Sequence, residues 1–175
     1  FLNYLRCHDD IGWGLDFATL KDWGMDEPAH KRYLNNFFTG KHPGSDSRGE
    51  LYNDDPVTQD ARFCGTTASM CGIEAALFEK NDEKLERGIR EDLMLHAYML
   101  TQSGIPMLYS SDEVGRLNDY SYKDDPDKAA DSRYIHRGAF QWDLAKKRKA
   151  KTSVEGQIFQ TLSRMEQIRR QESVF

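Results

Sequence analysis

Two short apolar runs, FLNYL (1–5) and IPMLY (105–109), constrain this chain most, because each runs straight into acidic side chains. The first leads into Arg6-Cys7-His8-Asp9-Asp10 and the second into Ser110-Ser111-Asp112-Glu113. Short apolar runs bounded by polar residues read as buried strands. Charged groups are costly inside unless paired, so the acidic residues belong where each strand leaves the core. Helical patterns separate the two runs, which is the grammar of parallel strands joined by helical crossovers. In such folds the carboxyl ends of strands carry the chemistry. The plainer alternative for Asp9 is a local cap at the start of a loop.

Four helices are expected between and after these runs. Pro28 suits the first turn of a helix reaching about Phe38, with Asp26 and Glu27 at its positive end and Gly40 where it stops. Tyr33, Leu34, Phe37 and Phe38 make its apolar face. GTTASMCGIEAALFEKN reads as a short helix of small residues, tightly packed. Ile89, Leu93, Ala97 and Leu100 recur at helical spacing within a helix from about Asp82 to Gln102. A last helix begins at TSVE, where Thr152 and Glu155 have capping-box spacing, and Ile158, Phe159, Leu162, Met165 and Ile168 line one face. The stretches 40–60 and 115–137 are turn-rich and polar, and AKKRKAK is a solvated basic patch.

Composition excludes several classes. Charged residues make up 30% of the 175 and hydrophobic ones 38%, which describes a soluble chain long enough for a sizeable core. No apolar run approaches the roughly 18 residues of a membrane span. A net charge of −5 argues against nucleic acid as a partner. Cys7, Cys64 and Cys71 are odd in number and lack CxxC spacing, so neither a disulfide framework nor a metal site is expected. A reducing, cytoplasmic compartment is favoured over secretion. The chain opens inside an apparent strand without an initiator Met, which suggests a piece of something longer.

Several stretches together resemble one family. His8-Asp9 at a strand end, and Gly104-x-Pro106 followed by Glu113, are similar to stretches of the alpha-amylase superfamily of glycoside hydrolases, with Ser111 standing where glycine is usual. HDDIGW, ARFCGT and ADSRYIHR resemble more specifically amylosucrase and sucrose hydrolase. The resemblance implies an α/β fold class: a fragment of an eight-stranded (β/α)8 TIM barrel, strands seven and eight with their helices, plus a long, mainly helical loop excursion. On this reading residues 1–10 end strand seven and 11–82 form the loop subdomain. Residues 83–175 then hold the last barrel helices, strand eight and an active-site loop.

The same resemblance implies the chemistry. Retaining enzymes of this kind work through an oxocarbenium-like transition state flanked by carboxylates. Asp9 matches the carboxylate that stabilises the distorted glucosyl ring, and His8 matches a hydrogen-bond partner of the same sugar. Such contacts strengthen as charge develops, so they favour the transition state. Asp10 and Arg62 would contact the neighbouring subsite, and Arg133 would close the glucosyl pocket through a salt bridge to an Asp outside this chain. No stretch matches those carrying the nucleophile or the acid/base, so the chain alone is expected to be inactive. No cofactor and no metal are implied; the partner is a small or oligomeric α-glucoside, most simply sucrose. Apolar surface left uncovered in a barrel fragment is expected to drive self-association.

Without the family, Arg62 and Arg133 read as surface ion pairs with Asp60 and Asp131, worth little. An α-glucosidase, trehalose synthase or starch-acting parent is the near alternative. A non-catalytic carbohydrate-binding or structural piece is another, with Tyr4, Trp13, Phe17 and Trp23 available to stack on sugars or to pack a core. An HD-type metal phosphohydrolase is the remote one, since His30, His42, His96 and His136 show no ligand spacing.

Overall fold

The computed structural model describes residues 1–172. The two apolar runs meet, but as very little sheet. β1 (Leu2–Asn3) and β5 (Ile105–Pro106) form a parallel ladder, Leu2 opposite Ile105 and Asn3 opposite Pro106. The second sheet is antiparallel, with β4 (Arg62–Cys64) between β2 (Ile11–Gly12) and β3 (Glu50–Tyr52). These five short strands do not make the expected barrel fragment, and the TIM-barrel assignment is corrected to a mixed α/β arrangement of two small sheets and helices.

The reason is physical. Parallel strands are stable when both faces are covered, yet Leu2 is 62% exposed and Ile105 66%. Phe1 and Tyr4 are exposed as well. Ile105 N–H donates to the Phe1 carbonyl at 2.9 Å and Met107 N–H to the Asn3 carbonyl at 2.8 Å, so Pro106, which has no N–H, turns its donor-less side away from β1. The opening run is therefore an exposed edge and not the buried strand its composition suggests.

Most of the core is helical. α5 (Asp82–Thr101) packs against α7 (Val154–Gln171) and against the short helices α3 (Thr67–Met70) and α4 (Ile73–Glu79). Ala68, Ile73, Ile89, Met99, Leu100, Ile158 and Leu162 form the buried centre. The close approach of α5 depends on Gly88, where a side-chain carbon would stand 2.8 Å from the Cys71 carbonyl. The expected single helix through GTTASMCGIEAALFEKN is instead two, α3 and α4, broken at Gly72. α7 is capped by Ser153, which accepts from the Gly156 N–H at 3.0 Å, not by Thr152. Its apolar face also turns outward at Ile168.

α1 (Phe17–Asp22) and α2 (Glu27–Phe38) carry the chain over the antiparallel sheet. α2 follows its sequence signals closely. Asp26 caps it through the Ala29 N–H, Pro28 lies in its first turn, and Gly40 past its end takes a left-handed φ of 73°. Its buried residues, however, are Lys31 and Asn35. Lys31 Nζ is held by Asp60 at 2.6 Å and Glu27 at 2.7 Å. Asn35 accepts from Trp13 Nε1 at 2.8 Å, and the Trp13 ring stacks on Phe38. The remaining polar stretches form 3-10 turns at Asp112–Val114, Tyr120–Asp124 and Ser132–His136. The basic patch lies on α6 (Trp142–Lys146) and the turn Lys147–Lys149. Among the described residues no helix is long and apolar enough to cross a membrane.

Candidate active site around Asp9

The chain leaves β1 through Leu5 and Arg6 and then presents Cys7, His8 and Asp9 at the surface. What holds this short segment comes from far along the sequence. Arg137 Nε donates to the His8 carbonyl at 2.6 Å, and His136 Nε2 lies 3.2 Å from the same oxygen. Arg137 Nη2 reaches Asp9 Oδ1 at 3.1 Å, and Arg133 Nη1 lies 3.7 Å from that oxygen. The other oxygen, Asp9 Oδ2, stands 3.2 Å from His8 Nε2. The backbone is gripped at His8, and the Asp9 carboxylate is oriented on both of its oxygens.

Arg133 comes from the turn Ser132–His136 and Arg137 follows directly after it; Asp131 starts the turn by accepting from the Arg133 N–H at 3.0 Å. The same carboxylate holds the Arg133 guanidinium in a fork, both contacts at 2.9 Å, and lies 3.6 Å from Arg137 Nη1. The hydrogen bonds from Arg133 keep Asp131 below the usual carboxylate range, and the Arg133 guanidinium is driven further toward its charged form in return. Its flat face covers the Tyr52 ring at 4.4 Å, so β3 supplies the back wall. Beside it, Asp10 Oδ2 pairs with Arg62 Nε on β4 at 3.6 Å. Cys64 behind this wall is buried, and desolvation pushes its thiol up to about 11, which makes it a packing residue and not a nucleophile.

A buried polar layer lies beneath. Arg6 reaches Asp112 Oδ1 through Nε at 3.1 Å and Nη2 at 2.5 Å, both side chains 3% exposed. Thr67 Oγ1 donates to Asp112 Oδ2 at 3.2 Å. Arg6 stacks on Tyr109, whose ring meets His136 edge-on. Burial first, then the charges of Arg6, Arg137 and Arg116, pushes His136 down to about 4 from its ordinary value, while its bond to the His8 carbonyl pulls the other way. His136 is therefore a neutral donor at pH 7.

Of the residues singled out by sequence, His8, Asp9 and Arg133 come together in one cluster, and Asp10 and Arg62 form the adjoining pair. Arg133 finds its acidic partners inside this chain, in Asp131 and Asp9. Glu113 is the residue that the motif points to, but the carboxylate buried under the site is its neighbour Asp112. Arg137, His136, Asp131, Tyr52 and Arg6 were not foreseen as site residues. The one signal for them in the sequence is the density of basic side chains in ADSRYIHR. One further grouping was not expected: donor atoms of Cys7, His8 and Asp9 lie within 4.8 Å of one another. The aromatic residues near the opening divide, since Trp13 packs while Tyr4, Phe17 and Trp23 are exposed. A comparison with protein-family models finds no match to this chain.

Proposed function

We propose that the Asp9 cluster recognises a glucosyl unit, and that the chain belongs to an enzyme acting on sucrose or a related α-glucoside, akin to amylosucrase and sucrose hydrolase. The observation that carries this reading is the double orientation of the Asp9 carboxylate by His8 and by the Arg133/Arg137 pair. A carboxylate aimed by fixed donors, half open to solvent and flanked by the ring of Tyr52, suits a polyhydroxylated ligand. Vicinal hydroxyls can donate to Asp9 while His8 supplies a donor to the same ring. The Asp10–Arg62 pair alongside offers one acceptor and one donor group for an adjoining unit. The sequence has no match to the stretches that carry the nucleophile and the acid/base. The activity proposed for the chain itself is therefore recognition, and transition-state stabilisation in the parent, without turnover.

Calorimetric titration with sucrose, maltose and glucose tests this. Millimolar-range binding of a glucosyl sugar that is lost in Asp9→Asn supports it. Equal heats for wild type and Asp9→Asn, or no preference for glucosyl sugars over galactose, would overturn it. Release of reducing sugar from sucrose by the purified chain would overturn the expectation of inactivity.

A further inference from the structure

We propose that Cys7, His8 and Asp9 form a binding site for a borderline-soft divalent metal ion of the Zn2+ type. A thiol, an imidazole and a carboxylate are a recognised zinc donor set, with the fourth position left to water. Their donor atoms lie within 4.8 Å of one another, and the closest pair, His8 Nε2 and Asp9 Oδ2, stand 3.2 Å apart. Donors about 2.0–2.3 Å from a tetrahedral ion are separated by less than about 4 Å, so a small side-chain adjustment brings the third into place.

The local structure favours this use over a chance grouping. The Asp9 N–H points to Cys7 Sγ at 3.4 Å, which folds the thiol back toward Asp9. Arg137 and Arg133 both engage Asp9 Oδ1, which fixes the plane of the carboxylate and turns Oδ2 toward His8 Nε2, so that an ion entering between these two atoms replaces their direct contact. Both guanidiniums also face Asp131, whose carboxylate offsets one of their two charges beside the site. The backbone between the three ligands is already held by Arg137 and His136 at the His8 carbonyl, so little ordering remains on binding. Cys7 is the thiol within reach of solvent; Cys64 and Cys71 are buried, and burial pushes both thiols up. On binding, the Cys7 thiol releases its proton to solvent and the thiolate coordinates. Where the glucosyl reading holds, ion and sugar compete for His8 and Asp9; the metal site itself does not depend on that reading.

Titration of the full reduced chain with Co2+, in the absence of sugar, tests the site. The expected result is one equivalent bound, with a thiolate-to-cobalt charge-transfer band, the visible bands of tetrahedral cobalt, and displacement by Zn2+. Cys7→Ser should abolish the charge-transfer band, and His8→Ala should weaken binding by at least about tenfold. No band in the wild type, or a band that survives Cys7→Ser, overturns the proposal. Should Cys7→Ser fail to fold, alkylation of wild-type Cys7 answers the same question: Zn2+ must slow it, and an unchanged rate overturns the site.

Discussion

Arg137 binds the segment that carries His8 at two points, donating from Nε to the His8 carbonyl at 2.6 Å and from Nη2 to Asp9 Oδ1 at 3.1 Å. One rigid fork thus sets both the path of the backbone and the direction of the carboxylate. A lysine keeps the charge but offers a single point of attachment.

Arg137→Lys should therefore lower stability modestly, by about 1 kcal/mol given the partial exposure of the pair. Its larger effect should be on glucosyl binding, which needs Asp9 aimed. Denaturant unfolding and calorimetric titration measure the two separately; full sugar affinity in this variant would show that the fork positions nothing.

Beneath the site, Arg6 and Asp112 form an ion pair with both side chains 3% exposed, so removing one partner leaves a buried charge uncompensated. Arg6→Met leaves Asp112 without its fork and should destabilise by about 3–5 kcal/mol at pH 7. Burial already raises Asp112 against the lowering effect of Arg6, so in the variant it takes up a proton more readily. The double variant Arg6→Met/Asp112→Leu should recover a large part of the loss, and a double-mutant cycle in urea checks this.

Acid should act through His136. Its folded value of about 4 lies below the ordinary 6.5, so the folded state holds it neutral while the unfolded state binds a proton. The stability this provides is present in full above about pH 6.5, is lost progressively as pH falls, and levels off near pH 4, for a total of about 3 kcal/mol. His96 works in the opposite sense. Burial would lower it, but its contacts with Asp92 outweigh that and leave it raised. The measurement is accordingly a difference. Urea midpoints at pH 7 and pH 4.5 should converge in His136→Asn and diverge in the wild type.

Ser111 sits at a φ of 82°, the left-handed region where a side chain is strained, and it is buried. Ser111→Gly should relieve that strain and raise stability by up to about 1 kcal/mol, offset in part by the greater freedom of glycine in the unfolded chain. A thermal melt decides the sign.

The exposed strip of Leu2, Tyr4, Ile105 and Met107 should bind the dye ANS under native conditions. Leu2→Lys together with Ile105→Lys should remove most of that fluorescence without shifting the melting temperature. Retained fluorescence would place the dye elsewhere.

Local patterning made α2 and α5 legible, because the signals that set them lie within a few residues: Asp26, Pro28 and Gly40 for one, Ile89 and Leu100 for the other. The cap of α7 was misplaced by one residue because Thr152 and Ser153 are equally good caps in sequence. The two-residue strands were not legible as such, since FLNYL has the composition of a buried strand and nothing local reveals that it lies at an edge. Buried Lys31 and Arg6 contradict their residue types and are explained by partners distant in sequence, Asp60 and Asp112, while buried Asp92 is met by His96 one turn along the same helix. The site followed the same rule. His8 and Asp9 stood out at once, whereas the residue that orients them is 129 positions away and joins them only when the chain is folded.

The placement of Trp13 also makes the chain report optically on itself. Trp23 and Trp142 are 70% and 73% exposed and should emit as water-bathed indoles, readily quenched by acrylamide. Trp13 lies against Phe38 with its Nε1 bonded to Asn35, so its emission should be shifted to the blue and shielded from quencher. The blue component is then a direct optical signal of whether residues 11–64 are docked on their sheet, readable in Trp23→Phe/Trp142→Phe without any added label.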